Sequence, residues 1–244
     1  MRTGQFNSIG GHLGNMAFMS RENNEKDMEN ILKQHQIGKT QLWEKFIDQF
    51  ARIHGKEFIY EEQTIENFMP IFYYFLRDPR FFDCSALKGD LSIPSFNKGL
   101  LIIGGFGVGK TDIMKTFETL FKRFDGLRYK MFSTPSVVNT FESCGTPEDK
   151  SAFFKNMKTG TILLDDLSSE EIASNYGKTD IMKRVILERY DSRLLTHMIC
   201  NFSNLEMDVV QTLQDLGDRY GSRVYDRLFE MFNIIVFKGK SFRR

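Results

Sequence analysis

The pattern of apolar and polar positions changes character near Gly99. Before it, apolar residues recur at helical spacing. Met28, Ile31, Leu32 and His35 form one set, with Gly38 as its stop. Leu42, Phe46, Ile47, Phe50 and Ile53 form a second, closed by Gly55. Ile65, Phe68, Phe72 and Phe75 line one face of a third, which ends near Asp78-Pro79. Pro70 lies inside that third run and predicts a kink or a split. The aromatic stretch FMPIFYYFLRDPRFF reads as a buried helix packed on the following domain, with a partner groove as the alternative. Residues 83–98 read as a loop. Residues 1–23, rich in Gly, Asn and Ser with little periodicity, read as a mobile arm.

From Gly99 onward, short β-like runs alternate with helical ones. Strands are expected at 100–104 (LLIIG), 127–133 (LRYKMFS), 161–166 (TILLDD), 195–201 (LTHMICN) and 233–238 (NIIVFK). Helices are expected at about 111–123, 135–143, 178–190 and 206–230, the last broken near Gly217–Gly221. Such alternation argues for an α/β fold with a parallel sheet covered by helices. The chain divides on this reading into a helical N-terminal region at 1–97 and a second domain at 98–244.

Composition adds bounds. The 244 residues suffice for one large domain, or a domain with an extension. Hydrophobic content of 41% and charged content of 27% are ordinary for a soluble globular protein. No apolar run approaches a membrane span, and Gly, His and Asn interrupt the N-terminus where a signal peptide would need an apolar core. Cys84, Cys144 and Cys200 fit neither a disulfide framework nor a zinc site. A cytoplasmic protein without membrane partners is expected. With a net charge of +1, any nucleic-acid binding must come from a local patch.

The chemistry concentrates in GGFGVGKT, which fits G-x-x-x-x-G-K-[ST]. Gly104, Gly107 and Gly109 leave the backbone bare, so that N–H groups can wrap a phosphate chain. Lys110 is expected to reach the β/γ-phosphates of ATP, and the Thr111 hydroxyl to ligate Mg²⁺. The helix that follows presents its positive N-terminus to the anion. TILLDDLSSEE places Asp165 at a strand end to hold Mg²⁺, and Asp166 where a carboxylate orients the attacking water. Glu170 is the alternative for that last role. In a sheet that sets LTHMICN between the first and third strands, Asn201 lies beside the γ-phosphate as a sensor. Arg223 opens a helix and is suited to point at a neighbouring subunit. Arg243 is suited to fold back on its own nucleotide.

The order P-loop, LLDDL, ERY, CNFSN, YGSRVYDRLFEMF, GKSFRR resembles the DnaC/IstB branch of AAA+ ATPases, over about residues 98–244. That resemblance implies an ASCE sheet with strand order 5-1-4-3-2, ATP-dependent homo-oligomers and DNA binding. It makes Lys110 and Thr111 Walker A, Asp165 and Asp166 Walker B, Asn201 sensor 1, Arg223 the arginine finger and Arg243 sensor 2. No helical lid is expected after Arg243. The branch implies a replicative helicase loader acting with single-stranded DNA and a hexameric helicase. An IstB-type regulator that binds duplex DNA and a transposase is the alternative. A small-molecule P-loop kinase and a nucleotide-gated adaptor without turnover are further readings from other classes. In this branch a helix inserted between the second strand and Walker B often contacts DNA. Phe153, Lys155 and Lys158 offer an aromatic and cations there, and an ordinary amphipathic helix end is the competing reading.

Overall fold

The computed structural model describes residues 38–170, 173–174 and 178–242. The helical set at 28–35, the arm at 1–23 and Arg243 lie outside the described residues. The chain separates into two units, Met1–Trp43 and Glu44–Arg244, and among the described residues every strand belongs to the second.

Helix α1 (Lys39–His54) and helix α2 (Glu62–Leu76) follow the apolar spacing of the second and third sets. Pro70 does not split α2. That helix stops at Arg77, whose left-handed backbone turns its N–H onto the Tyr73 and Tyr74 carbonyls. The remaining elements are β1 (Gly99–Gly104), α3 (Lys110–Leu120), β2 (Tyr129–Ser133), α4 (Thr134–Glu142), α5 (Pro147–Met157) and β3 (Thr161–Leu167). After them come a short antiparallel pair, β4 (Ala173–Ser174) and β5 (Lys178–Thr179), then α6 (Ile181–Asp191) and β6 (Thr196–Asn201). The chain closes with α7 (Val209–Tyr220), α8 (Ser222–Met231) and β7 (Phe232–Phe237).

Five parallel strands form one sheet in the order β2-β3-β6-β1-β7. Numbered among themselves in chain order, these strands run 5-1-4-3-2, the order implied by the resemblance. Every residue of β1 and β7 is buried, as a parallel sheet covered on both faces requires. The break between α7 and α8 falls at Gly221, whose φ of 94° and ψ of 157° suit only glycine. Two elements are not announced by periodicity. α5 is marked instead by its cap: Thr146 accepts from the Asp149 N–H, and the Asp149 carboxylate accepts from the Thr146 N–H. The pair β4–β5 is too short for a period to register.

The aromatic segments pack on the P-loop helix. Phe117 of α3 is fully buried, with its ring centroid 4.7 Å from Phe46 of α1, 5.9 Å from Phe68 and 4.9 Å from Phe75 of α2. The buried-helix reading of FMPIFYYFLRDPRFF therefore holds. A polar contact sits beside this cluster: His54 Nε2 lies 3.1 Å from both the Asp112 carbonyl and Thr116 Oγ1, and Lys56 Nζ donates to Asp112 Oδ2 at 2.7 Å. At the other end of the sheet, Arg189 is enclosed. It donates to the carbonyls of Met157, Gly160 and Leu195 and to the Thr196 hydroxyl, and burial pushes it down to about 10.

Phe117→Ala empties the centre of the aromatic cluster. It is expected to cost about 3–5 kcal/mol of folding stability, read as a lower urea midpoint with little change in slope. A loss under about 1 kcal/mol would mean that α1 and α2 repack freely.

Candidate phosphate-binding site

The site forms where the strands end. Gly104 closes β1 opposite Asn201 of β6 on one side and Phe237 of β7 on the other, and Ser133 of β2 lies opposite Asp165 of β3. A side chain at Gly104 would place its Cβ 2.7 Å from Phe237 Cβ and 2.9 Å from the Phe237 carbonyl oxygen, so the loop needs glycine to leave the sheet here. Gly107 and Gly109 take φ values of 76° and 90°, a backbone open to glycine and strained for L side chains. Lys110 is then the first residue of α3, with the helix N-terminus beside it.

Lys110 is 5% exposed, and its ammonium is ringed by oxygens. It donates to the carbonyls of Gly104 (2.8 Å) and Gly105 (2.7 Å) and to Asn201 Oδ1 (2.9 Å). The other end of the Asn201 amide donates to Asp166 Oδ1 at 3.0 Å. The Asp166 N–H donates to Asp165 Oδ1 (3.0 Å), which also accepts from Thr111 Oγ1 (3.2 Å). Lysine, amide, two carboxylates and hydroxyl thus form a connected arc across β1, α3, β3 and β6. Every one of the sequence-predicted residues in this arc is brought together with the others.

β3 shifts register against β6 between Leu164 and Leu167, which lets both aspartates face the site. Asp166 takes a φ of 60°, a conformation that costs of the order of 1–3 kcal/mol for such a residue. Its carbonyl is held by the Thr134 hydroxyl (2.7 Å), the Ser169 hydroxyl (2.6 Å) and the Ser169 N–H (3.1 Å). Burial pushes the Asp165 carboxyl above the usual range, and the charge of Asp166 adds to this. Thr111, the Asp166 N–H and Lys110 pull in the opposite direction.

The other candidates lie apart from the arc. Glu170 is enclosed against α7, where Oε1 accepts from the Tyr220 hydroxyl and from Arg219 Nη2 at 3.3 Å. Arg223 is exposed on α8 and lies 3.6 Å from Asp191 Oδ1 at the end of α6. Phe153 belongs to the core with Phe141 and Phe154, so the aromatic expected to meet DNA is not at the surface. Thr134 and Ser169 escaped the sequence reading because serine and threonine near a strand end are common. The tail after β7 was expected to return toward the nucleotide through Arg243, which lies outside the described residues; the anchors that bring it there were not foreseen. Asn67 pairs with both main-chain groups of Lys238, and the Phe242 N–H donates to the Gly107 carbonyl at 3.0 Å, so this segment crosses the glycine loop.

Thr111 and Asp165 supply hard oxygens 3.2 Å apart, and among the described residues no cluster of His, Cys, Asp or Glu forms a complete metal cage. That donor set fits Mg²⁺, which keeps water and takes phosphate oxygens as its other ligands. The bare loop, the helix N-terminus and the enclosed ammonium fit a polyphosphate.

No family model matches the chain, and no curated protein does. Among solved structures, a putative primosome component from Streptococcus pyogenes serotype M3 aligns with 81% of this chain and 97% of its own, at 16% identity and a TM-score of 0.51. The DnaC helicase loader aligns over 58% of this chain and 79% of its own, at 26% identity and a TM-score of 0.48. DnaI aligns over 60% and 73%, at 24% identity and a TM-score of 0.44. The likeness to the primosome component is one of fold. With the strand order and the glycine loop after β1, that fold is a parallel α/β P-loop arrangement.

Because the folded state raises the Asp165 carboxyl, its ionised form costs stability at neutral pH. The favourable contribution is complete below the ordinary carboxylate value and is lost as pH rises through the folded one. Asp165→Asn keeps an oxygen for Thr111 and the Asp166 N–H. It is expected to raise the nucleotide-free urea midpoint at pH 7, by a margin that shrinks on acidification. A lower midpoint at pH 7 would contradict the charge argument.

Proposed function

We propose that this chain is an ATP-hydrolysing AAA+ protein that works with DNA in the cytoplasm and loads a hexameric replicative helicase. The arc from Lys110 through Asn201 to Asp166, Asp165 and Thr111 carries the ATPase part of this reading. Bound ATP with Mg²⁺ supplies the transferable phosphoryl group and neutralises its charge. Lys110 exchanges its carbonyl partners for the β/γ-phosphate oxygens. Thr111 and Asp165 hold the metal. Asp166 orients the lytic water, and Asn201 fixes Asp166 with one N–H of its amide and offers the other N–H to a γ-phosphate oxygen. Arg243 stabilises the same charge from the tail. The loader role rests on the motif order that resembles the DnaC/IstB branch, and the shared fold of a putative primosome component is consistent with it.

A groove of about 560 Å³ between α5 and α6 supports a DNA contact. Lys150, Lys155, Lys158 and Arg184 line it, against the single carboxylate Glu188, and the Arg184 guanidinium stacks 3.6 Å from the Phe154 ring. Cations with so little acidic balance suit a phosphate backbone, and this offsets the near-zero net charge of the whole chain. ATPase stimulation measured with single-stranded and duplex DNA separates the two partner classes. Single strands are expected to stimulate more strongly, and Lys155→Glu with Lys158→Glu to remove most of that stimulation. Stimulation by duplex alone would favour the transposition regulator.

Arg223 is proposed to act in a neighbouring subunit, since its side chain is exposed on α8 and pairs with Asp191, with no contact to the arc among the described residues. Arg223→Ala protomers keep a pocket and lack the arginine; Asp165→Asn protomers have the reverse defect. Each alone is expected to be close to inactive, a missing finger costing about 10³–10⁵ in rate in GTPases. Mixed in equal amounts they are expected to recover roughly a quarter of the interfaces, because head-to-tail contacts are directional. A mixture as inactive as its parts, under conditions where wild type assembles, would place Arg223 within its own subunit.

A further inference from the structure

We propose that Tyr220 is a positioning residue for Asp166, holding the acidic loop in the one backbone path that turns that carboxylate toward the site. The inference rests on the ATPase reading above. Tyr220 ends α7 and is 1% exposed. Its hydroxyl accepts from the Ser168 N–H at 3.1 Å and donates to Glu170 Oε1. A phenol can do both at once, so a single oxygen fixes two points of the segment after Asp166. Burial and the Glu170 charge push the Tyr220 hydroxyl well above its ordinary value, which keeps it a donor.

The loop needs such a restraint. Asp166 and Ser168 take φ values of 60° and 72°, and Leu167 between them is buried. Left-handed backbone at residues other than glycine persists only where the surroundings over-determine it. On the near side, Thr134, Ser169 and Asn201 hold Asp166. On the far side, Tyr220 supplies the bond to Ser168, and Arg219 adds its contact with Glu170 while also holding Asp180 Oδ2 at 2.5 Å. Among the described residues Glu170 Oε2 is buried and makes no hydrogen bond, so this carboxylate is gripped through Oε1. Tyr220 itself acts through the backbone of the loop. It also ends the helix at Gly221, the turn that introduces Arg223. Its effect is assigned to its own pocket, not to the arginine it precedes.

Tyr220→Phe in the full chain removes the hydroxyl and keeps the ring. It is expected to leave affinity for a fluorescent ATP analogue within about twofold and to lower kcat about tenfold. That factor corresponds to about 1.4 kcal/mol, the scale of one buried hydrogen bond. Amide exchange over 166–170 is expected to quicken with little change in melting temperature. Mixed with Arg223→Ala protomers, whose pockets are intact, the variant is expected to regain activity; mixed with Asp165→Asn protomers it is not. Unchanged kcat, or a fall matched by equal losses of ATP affinity and stability, would overturn the proposal. The reverse rescue pattern would also overturn it, by assigning Tyr220 to Arg223. If wild type itself fails to hydrolyse ATP, the ATPase reading falls, and the exchange measurement still decides whether Tyr220 restrains the loop. Should Tyr220→Phe not fold, Glu170→Ala removes the partner of the same hydroxyl and is read by the same measurements.

Discussion

The Lys110 ammonium carries a full charge into a place almost closed to water, and a charge survives there only with oxygens aimed at it. Two of its acceptors are carbonyls at the end of β1, and a third is a side chain at the end of β6. That requirement fixes the rest. β6 must lie beside β1 in register, so that Asn201 stands opposite Gly104. β3 must come on the next side, so that the Asn201 amide can span to Asp166. The order of the sheet is thus also the wiring of the site.

The helices before the sheet serve the same helix that carries Lys110 and Thr111. Phe46, Phe68 and Phe75 close on Phe117, while His54 and Lys56 grip Asp112 in the first turn of α3. Asp112 directly follows Thr111 in the chain. Motion of the loop–helix junction on binding a phosphate would therefore be felt by His54 and Lys56, and a load on α1 would be felt at the hydroxyl that faces Asp165. Packing and ion pairing at this junction set the helical segment one residue away from the hydroxyl that faces Asp165.

Much of this was legible in the sequence, for physical reasons. The strands are apolar runs bounded by glycine or charge, and the glycine loop has a spacing that few other tasks demand. Asn201 could be placed because a parallel sheet puts functional side chains at carboxyl ends. What stayed hidden depends on distant partners. The left-handed turn at Asp166 comes from a register shift between β3 and β6, which no local pattern encodes. Tyr220 looks like a helix-end aromatic until the fold brings Ser168 beneath it. Phe153 carries no mark that separates a buried ring from an exposed one, and only the neighbouring Phe141 and Phe154 decide it.

The pairing of Gly104 with Asn201 makes strand length itself a chemical quantity. Side chains alternate between the two faces of a strand. Inserting or deleting one residue within β6 would turn the amide from the P-loop face to the opposite one, however well the altered strand packed. Deleting two would restore the face and withdraw the amide by about 7 Å. Drift in the length of this chain is accordingly confined to its loops, and the loop from Phe202 to Asp208, where Leu205 is almost fully exposed, has that freedom.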